Sequence, residues 1–261
     1  MKPEISWKQL LEEALTKPGS ILAAYTAFHD YSSGNQMLAY LECVTRGIPV
    51  GPIATYPGWQ AKKRQVRKGE KAIALWMPIT GKRTKTEKDD QGTETSEVIP
   101  YTRFIIKNNW FVLSQTDGEA FEPSPIPDWD RTRALAALGV TEIAFSETDG
   151  NVQGYALAGR KIAVNPVAAI PDKTTFHELG HVLMHENEEQ TDSEGTPRTL
   201  REVEAESVAL LCCESLGLPG AEYCRGYIQS WAGFKEMPEK SVQKIFKAAD
   251  AILKAGRKAS L

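Results

Sequence analysis

The chain is 261 residues long, 41% hydrophobic and 25% charged, with a formal net charge of −3. That length allows one large or two modest domains, and the composition is that of a globular protein, not a disordered or fibrous one. The four cysteines (Cys43, Cys212, Cys213, Cys224) follow neither a disulfide framework nor a CxxC spacing, and no apolar run is long enough to span a bilayer.

The expected elements run as follows. Helices are expected over Ser6–Thr16, Ser20–Tyr31 and Asn35–Arg46. A proline loop and a basic turn, Trp59–Gly69, lead to a strand over Lys71–Ile79. The polar stretch Gly81–Glu97 reads as a flexible hairpin loop, and Tyr101–Ser114 as one or two strands. Three prolines within 123–127 then mark a linker. Beyond it come a helix (Asp128–Leu138), short strands near Thr141–Phe145, Gly154–Leu157 and Lys161–Asn165, and a helix opened by Pro171 and Asp172. A polar loop (Asn187–Pro197), a helix over Thr199–Leu216 and two further helices complete the chain. The sequence therefore predicts an α+β protein with an N-terminal mixed helix/strand domain, 1–122, and a second domain, 128–261, built from a small sheet and helices. No signal-peptide pattern is present, so a reducing cytoplasm is the expected location.

Charge is unevenly spread. From Trp59 to Lys85 the chain carries Lys62, Lys63, Arg64, Arg67, Lys68, Lys71, Lys82, Arg83 and Lys85 against Glu70 alone, whereas the second half is acidic. Such asymmetry points to a polyanion partner for the first half, with a solvated basic face as the competing reading. If the polyanion is single-stranded DNA, the cations follow phosphates and aromatics stack on bases. Trp59, beside the basic run, is the favoured stacking residue; Phe104 and Trp110 are others, and Trp76 is assigned to the core.

Three of the four histidines fall within nine residues: His177-Glu178-Leu179-Gly180-His181, then His185. H-E-x-x-H on a helix places two imidazoles about 6 Å apart along one face, where both reach one ion. Glu178 sits one residue round the helix, near enough to take a proton from a water at the ion without being a ligand. His185 continues the same face, but ligation there would stretch the site over about 12 Å of helix. A supporting or packing role fits it better.

A catalytic zinc takes a third protein ligand and keeps one position open. The helix over Thr199–Leu216 offers Glu202, Glu204 and Glu206. Glu202 and Glu206 share a face and Glu204 points elsewhere. Glu202 is expected as the ligand, with Glu206 holding the free nitrogen of a ligating histidine. Zn²⁺ is the expected ion, and Mn²⁺ also suits two histidines and a carboxylate.

At these motifs the chain resembles the ArdC family of plasmid antirestriction proteins. In the first half the resemblance rests on Asn35-Gln-Met-Leu38, Gln65-Val-Arg-Lys-Gly-Glu-Lys71 and Trp110-Phe-Val-Leu-Ser-Gln-Thr-Asp-Gly118. In the second it rests on His177-Glu-Leu-Gly-His181 with Glu202-Val-Glu-Ala-Glu206, which is also similar to the ImmA/IrrE peptidases. It implies an N-terminal domain that binds single-stranded DNA and a zincin-like metallopeptidase domain with zinc on His177, His181 and a downstream glutamate. It further implies a mobile-element protein that shields incoming DNA from restriction. The residues leave three readings open: a zinc peptidase acting on a peptide or protein, with Tyr223, Arg225 or Tyr227 as oxyanion partner; a repressor-cleaving peptidase that uses DNA as a locator; and a DNA-coating protein whose metal only joins two helices. No membrane partner is expected.

Overall fold

The computed structural model describes residues 5–88, 94–185, 197–231 and 237–258. Helices α1 (Trp7–Thr16), α2 (Ser20–Phe28) and α3 (Ser33–Thr45) come first. A strand-rich stretch follows: β1 (Ile53–Thr55), α4 (Tyr56–Ala61), β2 (Arg64–Val66), β3 (Ile73–Lys88), β4 (Glu94–Val112) and β5 (Thr116–Gly118). Then come α5 (Arg131–Leu138), β6 (Thr141–Glu142), β7 (Gly154–Leu157) and β8 (Lys161–Val164). The last four helices are α6 (Pro171–His185), α7 (Arg198–Ser215), α8 (Ala221–Ser230) and α9 (Glu239–Ala255). The mixed α+β class expected from the sequence is what forms. Among the described residues no helix is long and apolar enough to cross a membrane.

Packing divides the chain into two compact units, Met1–Pro52 with Glu122–Leu261, and Ile53–Phe121. These units do not coincide with the expected blocks 1–122 and 128–261. The reason lies at the ends of the first helices. Only α1 caps itself locally, through Ser6 and Gln9 in a reciprocal capping box. Its Trp7 amide also donates to Glu239 at 2.6 Å. Helix α2 starts after Gly19 with no side-chain cap of its own. Glu214 of α7 supplies one, accepting from the Gly19 amide at 2.7 Å and the Ile21 amide at 3.2 Å. Glu214 is paired in turn with Arg225 of α8, whose guanidinium donates to the Ala14 and Leu15 carbonyls at the end of α1. Asp250 of α9 accepts from the Ser33 amide at the start of α3. Carboxylates at helix N-termini and a cation at a C-terminus satisfy orphan backbone groups and suit the dipoles. Every one of these distant caps joins residues at least 193 positions apart.

Helix α7 is the centre of this unit. Every residue from Val203 to Ser215 is buried, and the helix packs against α2, α6, α8 and α9. Being covered on all sides, it has no outward polar face to keep. The small sheet has β8 in the middle, parallel to β6 and antiparallel to β7, so β7 is an edge strand, and it lies against α6.

In the second unit β1, β4 and β3 form one antiparallel sheet and β2 pairs with β5. Strands β3 and β4 continue as a two-stranded ribbon whose register runs from Ile73↔Trp110 to Lys88↔Glu94. The loop expected over Gly81–Glu97 is thus strand through most of its length. Thr80, Thr84, Thr86, Thr95, Val98 and Ile99 are strand formers, and alternation with charged residues disguised them. Residues 89–93 lie outside the described residues, as do residues 187–196 of the polar loop expected after α6.

Candidate metal centre

The site is made where α6 crosses α7. Pro171 occupies the first helical position of α6, where its missing amide costs nothing. The two helices approach closely at Gly180 and Ala205: a Cβ on Gly180 would lie 3.0 Å from the Ala205 Cα and 3.3 Å from its Cβ. Each small residue sits inside its own motif, between Glu178 and His181 on one helix and between Glu204 and Glu206 on the other. The close backbone approach therefore brings carboxylates to imidazoles.

His177 Nε2 and His181 Nε2 stand 3.1 Å apart, and Glu202 Oε2 lies 3.3 Å from the first and 3.6 Å from the second. A tetrahedral ion 2.0–2.2 Å from each ligand would hold such atoms ~3.3–3.6 Å apart. The donor set therefore fits a divalent cation in both chemistry and spacing, and among the described residues it is the cluster of this kind.

Each histidine is held from behind. Glu206 Oε2 accepts from His177 Nδ1 at 2.8 Å, and Lys173 Nζ donates to both oxygens of Glu206 at 2.9 Å. On the other side His181 Nδ1 lies 3.3 Å from His185 Nδ1, and His185 Nε2 lies 2.7 Å from Glu204 Oε2. Glu204 points away from the Glu202 side, as its helical position predicts, and meets His185. The sequence reading left Glu204 and Lys173 without roles. Lys173 stands four residues before His177 on the same face, and that spacing was a usable signal.

Electrostatics follow from this crowding. Burial lowers the His177 pKa, but the hydrogen bonds of Glu202 and Glu206 outweigh it and carry the imidazole up to about 9. His177 and His181 hold the Glu202 carboxyl well below the ordinary carboxylate range. Burial raises the Glu206 pKa, yet His177 and Lys173 bring it down to about 2. Glu178 moves the other way. It is 5% exposed, and burial raises its carboxyl pKa against the opposing pull of His177 and His181. Room for Glu178 depends on Gly154 of β7, where a Cβ would come within 3.1 Å of Glu178 Oε1 and 2.6 Å of Thr174 Cγ2.

The cluster opens into a cleft of about 870 Å³, walled by β7 on one side and by Arg198, Arg201 and Glu202 of α7 on the other. Arg225 does not face it. Its guanidinium is committed to Glu214, Ala14 and Leu15, which corrects its candidacy as oxyanion partner. Tyr223 is exposed. Tyr227 is exposed too, with its phenol pKa raised by partial burial and by the charges of Glu202 and Glu206.

Residues 4–105 match the family described as the N-terminal domain of anti-restriction factor ArdC. That match covers the first part of the chain. Two solved structures of the antirestriction protein ArdC from the R388 plasmid share the fold over nearly the whole chain. The metal-free form is 24% identical with a TM-score of 0.50, covering 96% of this chain and 94% of that one. The Mn(II)-bound form is 21% identical with a TM-score of 0.54, covering 96% and 97%. No curated protein sequence matches the chain.

Within the strand unit the residues expected to meet DNA divide sharply. Trp59 is 0% exposed: its Nε1 donates to the Phe111 carbonyl at 2.8 Å and its ring stands edge-on to Phe121. It is a core residue, and the stacking expectation is corrected. Its place beside Gly58 and a basic run concealed that α4 folds it inward. Arg64 donates to the Thr116 hydroxyl and to the Thr116 and Glu119 carbonyls. Arg67 donates to Glu70 and the Ser114 carbonyl, and pairs weakly with Asp117. Both arginines thus join the Arg64–Lys71 stretch to the Trp110–Glu119 stretch. Lys62 lies over the Phe121 ring, Lys63 pairs with Glu119 at the surface, and Lys68 and Lys71 are exposed. On the ribbon Phe104 is 61% exposed and Tyr101 37%.

Proposed function

We propose that this is an antirestriction protein that binds single-stranded DNA through its strand unit and carries a zincin-like metallopeptidase site on α6 and α7, acting in the cytoplasm. The observation that carries the enzymatic half is the convergence of His177 Nε2, His181 Nε2 and Glu202 Oε2, beside buried Glu178, at the floor of an open cleft. Likeness to the R388 ArdC protein, which has a Mn(II)-bound structure, supports a divalent cation there. Imidazole favours zinc, and manganese is compatible with the same three ligands. Once bound, such a cation supplies Lewis acidity, acidifying water and polarising a carbonyl.

The chain's own residues do the rest. Glu178 takes a proton from the attacking water and passes it to the leaving amine; a carboxyl raised by burial is better matched to that work than an exposed one. The edge of β7 offers unpaired backbone groups along which an extended peptide can lie as an added strand. Tyr227 is the candidate to meet charge developing on the carbonyl oxygen.

For the nucleic-acid half, the cations on offer are exposed Lys62, Lys63, Lys68 and Lys71, with Lys82, Arg83, Arg103 and Lys107 exposed on the ribbon. Phe104 and Tyr101 replace Trp59 as stacking residues. A mixed basic and aromatic surface suits single strands without reading sequence.

The deciding experiment compares wild type with Glu178→Ala for zinc content, single-stranded DNA binding and cleavage in a proteome-wide digest. Retained metal and DNA binding with loss of cleavage by a factor of about 10²–10⁴ is the expected result. A wild type that binds metal and cleaves nothing would sink the peptidase. A second reading would then stand, in which the ion only joins α6 to α7; it is favoured by the fact that His177, His181 and Glu202 all come from those two helices. A cleaved regulator in the digest would assign the peptidase to repressor control, with DNA as locator.

A further inference from the structure

Beyond the three candidate ligands and Glu178, the site contains a second buried pair that the proposed chemistry does not use. His185 is 8% exposed and Glu204 is 2% exposed, and they are joined at 2.7 Å. The same imidazole presents its other nitrogen to His181, Nδ1 to Nδ1, at 3.3 Å. Two ring nitrogens at that distance share one proton, so one donates and the other accepts.

We infer that His185, fixed by Glu204, is a positioning residue that sets the tautomer of His181 and so makes it a ligand. The proton order follows from the acceptor at the far end. A carboxylate accepts only, so His185 carries its proton on Nε2 and gives it to Glu204. In that tautomer His185 has a bare Nδ1, which accepts from His181 Nδ1–H. That leaves His181 Nε2 as a lone pair, and Nε2 is the atom that faces His177 Nε2 and Glu202. With the opposite order, a proton on His181 Nε2 would point into the site and block it. His177 is held at Nδ1 by one direct bond to Glu206. For His181 the carboxylate lies one imidazole further away, and His185 carries its influence across α6.

This inference rests on the metal-site reading, and the test separates the two. Zinc affinity is measured by chelator competition for wild type, His185→Leu, Glu204→Leu and His185→Asn, with melting temperature recorded for each. His185→Leu and Glu204→Leu should weaken zinc binding about 10–100-fold, as removal of an outer partner does. His185→Asn, whose Oδ1 stands near the position of Nδ1, should recover most of that loss even if it melts as low as His185→Leu. In ¹⁵N spectra of the zinc-loaded wild type, His185 should carry its proton on Nε2 alone. Zinc binding in the wild type that is unchanged by all three substitutions would overturn the inference and leave the metal site standing. A doubly protonated His185, or one protonated on Nδ1, would also overturn it, and this readout needs no variant to fold. A wild type that takes up no zinc at all would instead remove the metal-site reading.

Discussion

Helices α6 and α7 and the paired strands β2 and β5 each bring together two motif-bearing runs, and they spend polar side chains differently. Between the helices, imidazoles and carboxylates turn toward one another and leave three candidate ligand atoms within 4.8 Å of one another. Between the strands, Arg64 and Arg67 turn toward backbone carbonyls and neighbouring side chains and are largely used up in holding the turn. The lesson is that a charged motif is a site only where its donors and acceptors remain unspent after packing.

The largest expected effect tests the strand side. Trp59→Ala should destabilise its unit by about 3–5 kcal/mol, the usual cost of emptying a large aromatic pocket. Denaturant melts read this, while the DNA affinity of the protein that remains folded should stay near wild type. A large affinity loss with normal stability would restore Trp59 to the interface. On the helix side, Glu202→Ala should weaken zinc binding by more than the ~100-fold upper range for an outer partner, because it removes a candidate ligand itself. An effect no larger than that of Glu204→Leu would demote Glu202. Next in size, Phe104→Ala should leave the melting temperature alone and reduce affinity for single-stranded DNA by about 1–3 kcal/mol. Equal loss for any polyanion, or none, would move the interface off the ribbon.

The smallest effect is on pH. In the metal-free protein the His177 pKa is raised from 6.5 to about 9, so its stabilising contribution is full below 6.5 and lost as pH rises through 9. Glu206 is lowered from 4.5 to about 2, so its contribution is full above 4.5 and lost as pH falls through 2. The cluster should therefore stabilise the metal-free fold most between about pH 4.5 and 6.5. Metal must displace the His177 proton, so zinc affinity should increase as pH rises to 9, with proton release measurable by calorimetry in buffers of different ionisation enthalpy. Zinc affinity that does not change between pH 6 and 9 would place His177 outside the ligand set.

Much of the helix pair was legible because its information is local. Two imidazoles four residues apart share a face whatever the rest of the fold does, and an acidic start to a buried helix narrows the partners to Glu202, Glu204 and Glu206. The elements themselves were also readable: the α6 and α7 boundaries, the β7–β8 hairpin and the N-terminal helices follow from periodicity and caps. What stayed hidden depends on distance along the chain. Nothing near Gly19 announces that Glu214 will cap α2, and nothing near Ser33 announces Asp250, so a cut at the proline segment looked natural. The ribbon was hidden for another reason. A polar, charged run such as Thr-Lys-Thr-Glu-Lys reads as loop.

The borrowed carboxylates have a consequence for biosynthesis. Translation runs from the N-terminus, so α2 and α3 emerge well before Glu214 and Asp250 exist to receive their amides. The first unit is interrupted by Ile53–Phe121, and it can close only after Asp250 has left the ribosome. The strand unit is complete by then, which makes it the first piece able to fold and leaves the early helices waiting for the last one.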